Sequence, residues 1–381
     1  PGDDNEIHEF CTVKYKTSFI RFKKTEVNGE NTSLVWKFLK ENSWVYPFAV
    51  YTHFRVKNNF KIWTQWDSDM KFYYDSHELT EFPRGAENEC EFYIFCQYIA
   101  KTQFQALRQY LKQIHLTLIA DCPFYVGIDS VDCWMNKDQF VMNENYEPTL
   151  VSGCPPDAFS DDGQLWGTPI FDFEKMKRNK YDFLVRRIGY LASTCDYLRL
   201  DHFRAWDTYC VIPAEDENAR RGKWVIGPRT SFFDALYDAY PDVNLIAEDL
   251  GELFQSVHDL RDYYGFPGMF ITQFTLFDEN SKSKDTQIVY PGTHDNETLS
   301  GWVSNFSEWN LKVLKEKFGE VDLFEAIFNY TWNMPSLMTI VPMQDFSSAI
   351  SDEYLYKKYD LTNEEIEFIE NTIWGDKQKD E

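Results

Sequence analysis

What this sequence lacks narrows its function before any motif is weighed. No apolar run nears the ~20 residues that a membrane-spanning helix needs. The opening, PGDDNEIHEF, has neither a basic n-region nor an apolar h-region, so no secretory signal is expected. Basic charge is scarce: 38 Lys and Arg face 62 Asp and Glu, for a formal net charge of -24. A field of that sign repels phosphate backbones and anionic lipid, which argues against nucleic acid and membrane surfaces as partners. A neutral substrate is compatible with it. Cysteine is sparse at 8 residues, and none lies in a CxxC pair. These residues (Cys11, Cys90, Cys96, Cys122, Cys133, Cys154, Cys195 and Cys210) are read as reduced thiols of a cytoplasmic protein. A plastid protein whose transit peptide has been removed also fits. GxGxxG and P-loop signatures are both missing, and so are internal repeats and low-complexity linkers.

What is present is a globular composition, 43% hydrophobic and 26% charged, in 381 residues. That length buries either one large α/β domain or two smaller ones. The aromatic share, 18%, is high. Most of these rings belong to the core, although aromatic excess also suits a protein that stacks on flat sugar faces. Cys122, Cys195 and Cys210 flank apolar runs and read as small core residues.

Residues 1–15 are charged and expected to fray. From 16 to about 115 the spacing is helical, as in SLVWKFLKEN and ENECEFYIFCQYIAKTQFQALRQYLKQ, and the aromatic side of the second is expected to pack in the core. After 115 come short apolar runs that end in polar residues: LTLIAD (116–121), DYLRLD (196–201), NLIAED (244–249), MFITQF (269–274), QIVYPGTHD (287–295) and TIVPMQD (339–345). Apolar strands separated by helices predict a parallel sheet covered on both faces. Acidic and histidine residues at their C-terminal ends favour a (β/α)8 barrel of TIM type over a doubly wound sheet. The expected organisation is a mainly helical region at 1–115, barrel strands at 116–345 and a helical segment at 346–381. The Asp-, Gly-, Pro- and Trp-rich stretch 122–195 is too long for a plain connection and is read as a functional loop insert.

Side chains alternate along a strand, so in YLRLD Tyr197, Arg199 and Asp201 share one face while Leu198 and Leu200 share the other. An aspartate beside an arginine stays ionised, as a carboxylate nucleophile must; the plain alternative is a structural Arg–Asp pair. In IAEDLG, Glu248 and Asp249 point to opposite faces, so at most one lines a cleft. A glutamate in an apolar cleft can serve as a general acid, although both residues could simply cap the next helix. In PGTHDN, His294 and Asp295 follow a strand end, and no second ligand cluster has metal spacing. Three carboxylates at three strand ends suit a retaining glycosidase-type reaction, which uses a nucleophile and an acid/base about 5–5.5 Å apart. A third can stabilise the oxocarbenium-like transition state.

YLRLDHFRAW, LIAEDLG and YPGTHDNETLSGW resemble the catalytic motifs of the amylomaltase (4-α-glucanotransferase, disproportionating enzyme) family of the α-amylase superclan. The likeness extends through IADCPFYVGIDSVDCW, GCPPDAFSDDGQLWGTPIFDF, GKWVIGP, YGFPGMFITQF and TIVPMQD, roughly residues 85–345. It implies a retaining double displacement on α-1,4-glucan with no metal or organic cofactor. The partners implied are a maltodextrin donor and a glucose or maltodextrin acceptor. By motif match Asp201 is the nucleophile, Glu248 the acid/base and Asp295 the transition-state stabiliser. Arg199 would orient Asp201, and His294 would bond the sugar at the cleavage subsite. Asp121, Asp157, Trp166 and Phe274 fall at sugar-contacting positions. The 150s–160s loop would cover the acceptor side and keep water from the intermediate.

This chain departs from the family pattern in three places. The first two barrel strands are not found, which implies an incomplete barrel: a fragment, a truncated paralogue or one half of an assembly. The initial Pro favours a fragment, and activity then depends on the missing segment. Ala158 stands where the family usually has tyrosine, one stacking contact fewer. After VPMQD the family's Gly-, Arg- and Trp-rich loop is absent, and LTNEEIEFI reads as a terminal helix capped by Thr362 and Glu365. A closely related hydrolase and an inactive glucan-binding relative are therefore the alternatives to a transferase.

Overall fold

The computed structural model describes residues 32–156, 160–251, 253–346 and 362. The chain forms two compact units, one ending at Leu245 and the other starting at Ile246.

The first unit begins with helices α1 (Thr32–Glu41), α2 (Val45–Lys57) and α3 (Glu87–Gln113), and α2 packs along α3. Much of the aromatic excess is core here. Phe54, Trp66 and Trp134 pack ring against ring, and Trp63 is fully buried. The expectation that α3 packs its aromatic side into the core holds for one half only. Cys90, Phe92, Tyr93, Ile94 and Phe95 are buried, whereas Phe104, Leu107 and Tyr110 are exposed. Periodicity marks an apolar face but does not supply what covers it.

The strands of this unit are β1 (Ile119–Cys122), β2 (Leu150–Cys154), β3 (Gln164–Pro169), β4 (Tyr197–Leu200), β5 (Thr208–Pro213) and β6 (Lys223–Ile226). Strand β7 (Leu245–Ala247) begins on the unit's last residue. One sheet runs β1-β4-β7, with β1 and β4 parallel and Asp121 opposite Arg199. Helix α4 (Asp182–Ser193) covers it with Phe183, Leu184, Val185 and Ile188, packing against β1 and β4. Helix α5 (Thr230–Ala239) packs on α4 in turn. The stretch 122–195, read as loops, instead supplies two strands of an antiparallel sheet ordered β3-β2-β5-β6. Gly153 makes this sheet possible: a Cβ there would strike the Gln164 carbonyl and the Ile212 side chain.

The second unit holds helix α6 (Gln255–Tyr264), β8 (Met269–Ile271), helix α7 (Thr272–Thr275) and β9 (Ile288–Tyr290). Helices α8 (Leu299–Ser304), α9 (Glu308–Phe318) and α10 (Leu323–Trp332) follow, then β10 (Met338–Thr339). Its sheet is parallel and ordered β10-β9-β8. Gly265, at φ +68°, ends α6 in the left-handed conformation that glycine adopts without strain. Leu276, Leu299, Leu314 and Ile327 form the core on which Trp302, Phe306 and Phe318 pack. Five of the six expected apolar runs therefore form strands, whereas TIVPMQD contributes only Thr339 to the two-residue β10 and continues into a 3-10 turn at Met343–Phe346. Residues 1–15 and the Thr362–Glu365 cap lie outside the described residues, apart from Thr362 itself. Among the described residues no helix is long and apolar enough to cross a membrane.

Candidate active site

Strand β4 presents the alternation its sequence predicts. Leu198 and Leu200 are buried, while Tyr197, Arg199 and Asp201 are partly open. The Arg199 side chain is 11% exposed, and its guanidinium joins two carboxylates. One of its nitrogens donates to both oxygens of Asp121, at 2.8 and 2.7 Å, and another lies 3.0 Å from Asp201 Oδ1. The β1–β4 register creates the first contact, since Asp121 and Arg199 are opposite one another. The Asp201 amide donates to the Cys122 carbonyl at 3.1 Å, fixing the end of β4 to the end of β1. Nearly half of each carboxylate side chain stays open, and a carboxylate has about four acceptor positions. Asp121 can thus bind Arg199 and still accept from a hydroxyl.

The other end of β4 is clamped too. Arg108 donates to both oxygens of Asp196 at 2.6 and 2.8 Å, and the Leu118 amide donates to Asp196 at 2.8 Å. These bonds, Arg108 foremost, hold the Asp196 carboxyl well below the usual carboxylate range.

Trp166 sits on β3 with its indole N–H donating to Gln164 Oε1 at 3.0 Å. It is 39% exposed and meets the His202 ring edge-on, with centroids 4.9 Å apart. Asp157 and Ala158 lie outside the described residues.

In the second unit Glu248 follows β7, partly buried, and accepts from the Leu250 amide at 3.2 Å. Asp249, on the opposite face, is buried: it takes the Met269 amide at 2.7 Å and pairs with Arg261. Burial pushes its carboxyl up, and those two partners pull it back. Of the two acids, Asp249 is thus engaged in packing, while Glu248 stays partly open.

His294 and Asp295 stand after β9 with exposed side chains, His294 Nε2 3.4 Å from Asp295 Oδ2. Their loop is tied by its own polar groups. Asn296 Oδ1 accepts from the Thr293 amide at 2.8 Å and its hydroxyl at 3.0 Å. The Asp295 amide donates to Thr293 Oγ1 at 3.2 Å. The loop then enters α8, where Thr298 caps the helix and buried Asp345 accepts the Leu299 amide at 2.7 Å. Asn296 and Asp345 were not singled out in the sequence. The asparagine directly after the His-Asp pair is a turn-forming residue and was a usable signal. Phe274, on α7, is 61% exposed.

The structure therefore gathers Asp121, Arg199 and Asp201 at one point, Trp166 beside His202, and His294 beside Asp295. Asp201 belongs to the first unit, and Glu248 and Asp295 to the second. Among the described residues no three His, Cys, Asp or Glu side chains are grouped so as to hold a metal ion.

A family described as 4-alpha-glucanotransferase matches residues 6–363. The chain belongs to this family. A 4-alpha-glucanotransferase from Clostridium butyricum is 31% identical over 95% of the chain and 77% of its own length. One from Streptococcus pneumoniae is 34% identical over 81% of the chain. The chain spans 63% of that protein and 55% of the chloroplastic/amyloplastic enzyme of Solanum tuberosum, to which it is 33% identical. Among solved structures, Streptococcus agalactiae amylomaltase in complex with acarbose superposes with a TM-score of 0.79 and 29% identity. That match covers 87% of this chain and 69% of the other. Corynebacterium glutamicum amylomaltase, at 15% identity and a TM-score of 0.65, shares the fold. The α/β class expected from the strand pattern is thus that of the amylomaltases.

Proposed function

We propose that this member of the family transfers α-1,4-glucan segments between maltodextrins by a retaining double displacement. The observation that carries the reading is the Asp121–Arg199–Asp201 constellation at the paired ends of β1 and β4. A cation shared by two carboxylates keeps Asp201 ionised and aimed, as a nucleophile requires. Asp201 attacks the anomeric carbon while Glu248 gives its proton to the departing glycosidic oxygen, leaving a glycosyl-aspartate and a shortened glucan. Glu248, now a carboxylate, takes the proton of an acceptor sugar hydroxyl, which attacks the same carbon and releases Asp201. Asp295 faces the positive charge that develops on the sugar ring at both steps. His294 bonds the sugar at the cleavage point. Asp121 and Asp157 accept sugar hydroxyl hydrogens, while Trp166 and Phe274 offer flat apolar faces. The reaction needs no metal or organic cofactor, and the catalytic part is assigned to 116–345.

Incubation with maltotriose, followed by chromatography, tests the reading. Glucose with a ladder of longer maltodextrins is expected. Glucose and maltose without longer products would make the chain a hydrolase. No products from a chain that circular dichroism shows to be folded would make it a glucan-binding relative.

A further inference from the structure

Directly after Asp201 the chain turns left-handed. His202 has φ +49°, a region that ordinary side chains avoid and that Asn, Asp and His tolerate best. The turn drives the His202 ring into an aromatic pocket. Trp166 stands perpendicular to it at 4.9 Å, and the rings of Phe124 and Tyr125 each lie 6.4 Å away. Tyr125 itself stacks on Phe171 at 6.1 Å and lies 6.3 Å from Trp166. His202 Nε2 and the Tyr125 hydroxyl are both buried without a hydrogen-bond partner within the protein. A structural histidine would be expected to use its ring nitrogens. This one meets the Trp166 ring at right angles instead.

We propose that His202 is a positioning residue that locks the Trp166 indole, edge to face, to the backbone turn carrying Asp201. The sugar platform and the nucleophile then move as one piece, although they come from different sheets. Burial, with Arg204 adding to it, lowers the His202 pKa to about 4, so the ring stays neutral and is no acid or base near neutral pH. A neutral ring suits a perpendicular aromatic contact without bringing a charge to the glycosyl site. The inference rests on Trp166 contacting substrate, as proposed above.

The test is a double-mutant cycle on maltotriose with the unaltered chain, His202→Asn, Trp166→Ala and the pair. Asparagine tolerates the left-handed turn, so His202→Asn removes the ring while sparing the backbone. Losing one edge-to-face contact should raise KM about two- to tenfold with little change in kcat. In the Trp166→Ala background the same change should do nothing further. Equal losses in both backgrounds, or no loss in either, would overturn the proposal. Should the unaltered chain transfer no glucan, the functional reading fails separately. The coupling is then read from thermal unfolding of the same four proteins, where additive Tm shifts would overturn it. Should His202→Asn not fold, His202→Gly, which also accepts the left-handed turn and lacks the ring, takes its place in the cycle. Failure of both variants would make the residue part of the fold alone.

Discussion

The end of β4 and the loop after β9 each carry an aspartate of the proposed site, and they are held by opposite means. Asp201 stands on a strand clamped by ion pairs at both ends, through Arg108–Asp196 and Arg199–Asp121. Asp295 stands on a loop clamped by neutral hydrogen bonds around Asn296 and, at its exit, by Asp345, a buried acid with one oxygen unpartnered. Charge pairing gives a stiff, directional mount whose worth depends on both partners being ionised. The amide and hydroxyl bonds around Asn296 are indifferent to pH but weaker bond for bond, and only the exit at Asp345 carries a titratable group. The proposed nucleophile, which must meet one carbon at bonding distance, suits the first kind. A stabilising charge acts over a longer range and suits the second.

The comparison breaks most visibly at Asp201. Asp201→Asn should lower maltotriose transfer on the order of 10⁴-fold or more while leaving glucan binding intact. Unchanged transfer would remove Asp201 from the chemistry. Next in size is Arg199→Lys. A single ammonium cannot serve two carboxylates as the guanidinium fork does, so kcat should fall about 10²-fold with KM little altered. A fall in binding alone would show that Arg199 serves substrate rather than Asp201. Asn296→Ala tests the other mount. It frees Thr293 and the Asp295 turn, and kcat should drop about tenfold, a smaller loss because a charge can tolerate more displacement. A loss matching that of Arg199→Lys would erase the distinction.

How much of this was legible in the sequence follows from the range of each interaction. Tyr197, Arg199 and Asp201 could be placed on one face because strand alternation is local, and the buried Leu198 and Leu200 agree. The link from Arg199 to Asp121 needs two strands in one register, 78 residues apart, and no local pattern specifies that. Strands β2 and β3 went unread because LVSGC and QLWGTP mix glycine and polar residues without alternation. Gly153, whose lack of a side chain lets three strands approach, weakened the signal there. In α3 the period was plain, yet Phe104 and Leu107 are exposed, since an apolar stripe does not say what meets it.

Stability sharpens the contrast further. Asp196→Asn removes the charge and one of the two oxygens that Arg108 holds, leaving a single amide oxygen for Arg108 and the Leu118 amide at the start of β1. It should cost about 1.5–3 kcal/mol at neutral pH by chemical denaturation. The folded pKa of Asp196 is depressed, so its contribution is present above the unfolded carboxylate value of about 3.9 and lost as pH falls below it. The gap between the two proteins should therefore close in acid. A gap unchanged from neutral pH to acid would mean that shape, not charge, holds that end of β4.

Asp345 should behave with the reverse sign and a smaller magnitude. Burial raises its carboxyl above the ordinary value, and the Leu299 amide only partly offsets this. A group with a raised folded pKa stabilises most fully below its unfolded pKa, and that contribution is lost as pH rises through the folded one. Ionised Asp345 is thus a cost at neutral pH, where its second oxygen is buried with no partner. Asp345→Asn keeps an acceptor for Leu299 and removes the charge. It should be neutral to about 1 kcal/mol stabilising at pH 7, with the advantage vanishing as pH is lowered to the carboxylate range. Asp345→Ala, which also strands the Leu299 amide, should destabilise at every pH. Were Asp345→Asn destabilising at pH 7, the charge itself would be holding the entry of α8. Both aspartate mounts would then rest on electrostatics, and the different tolerances expected of Asp201 and Asp295 would need another cause.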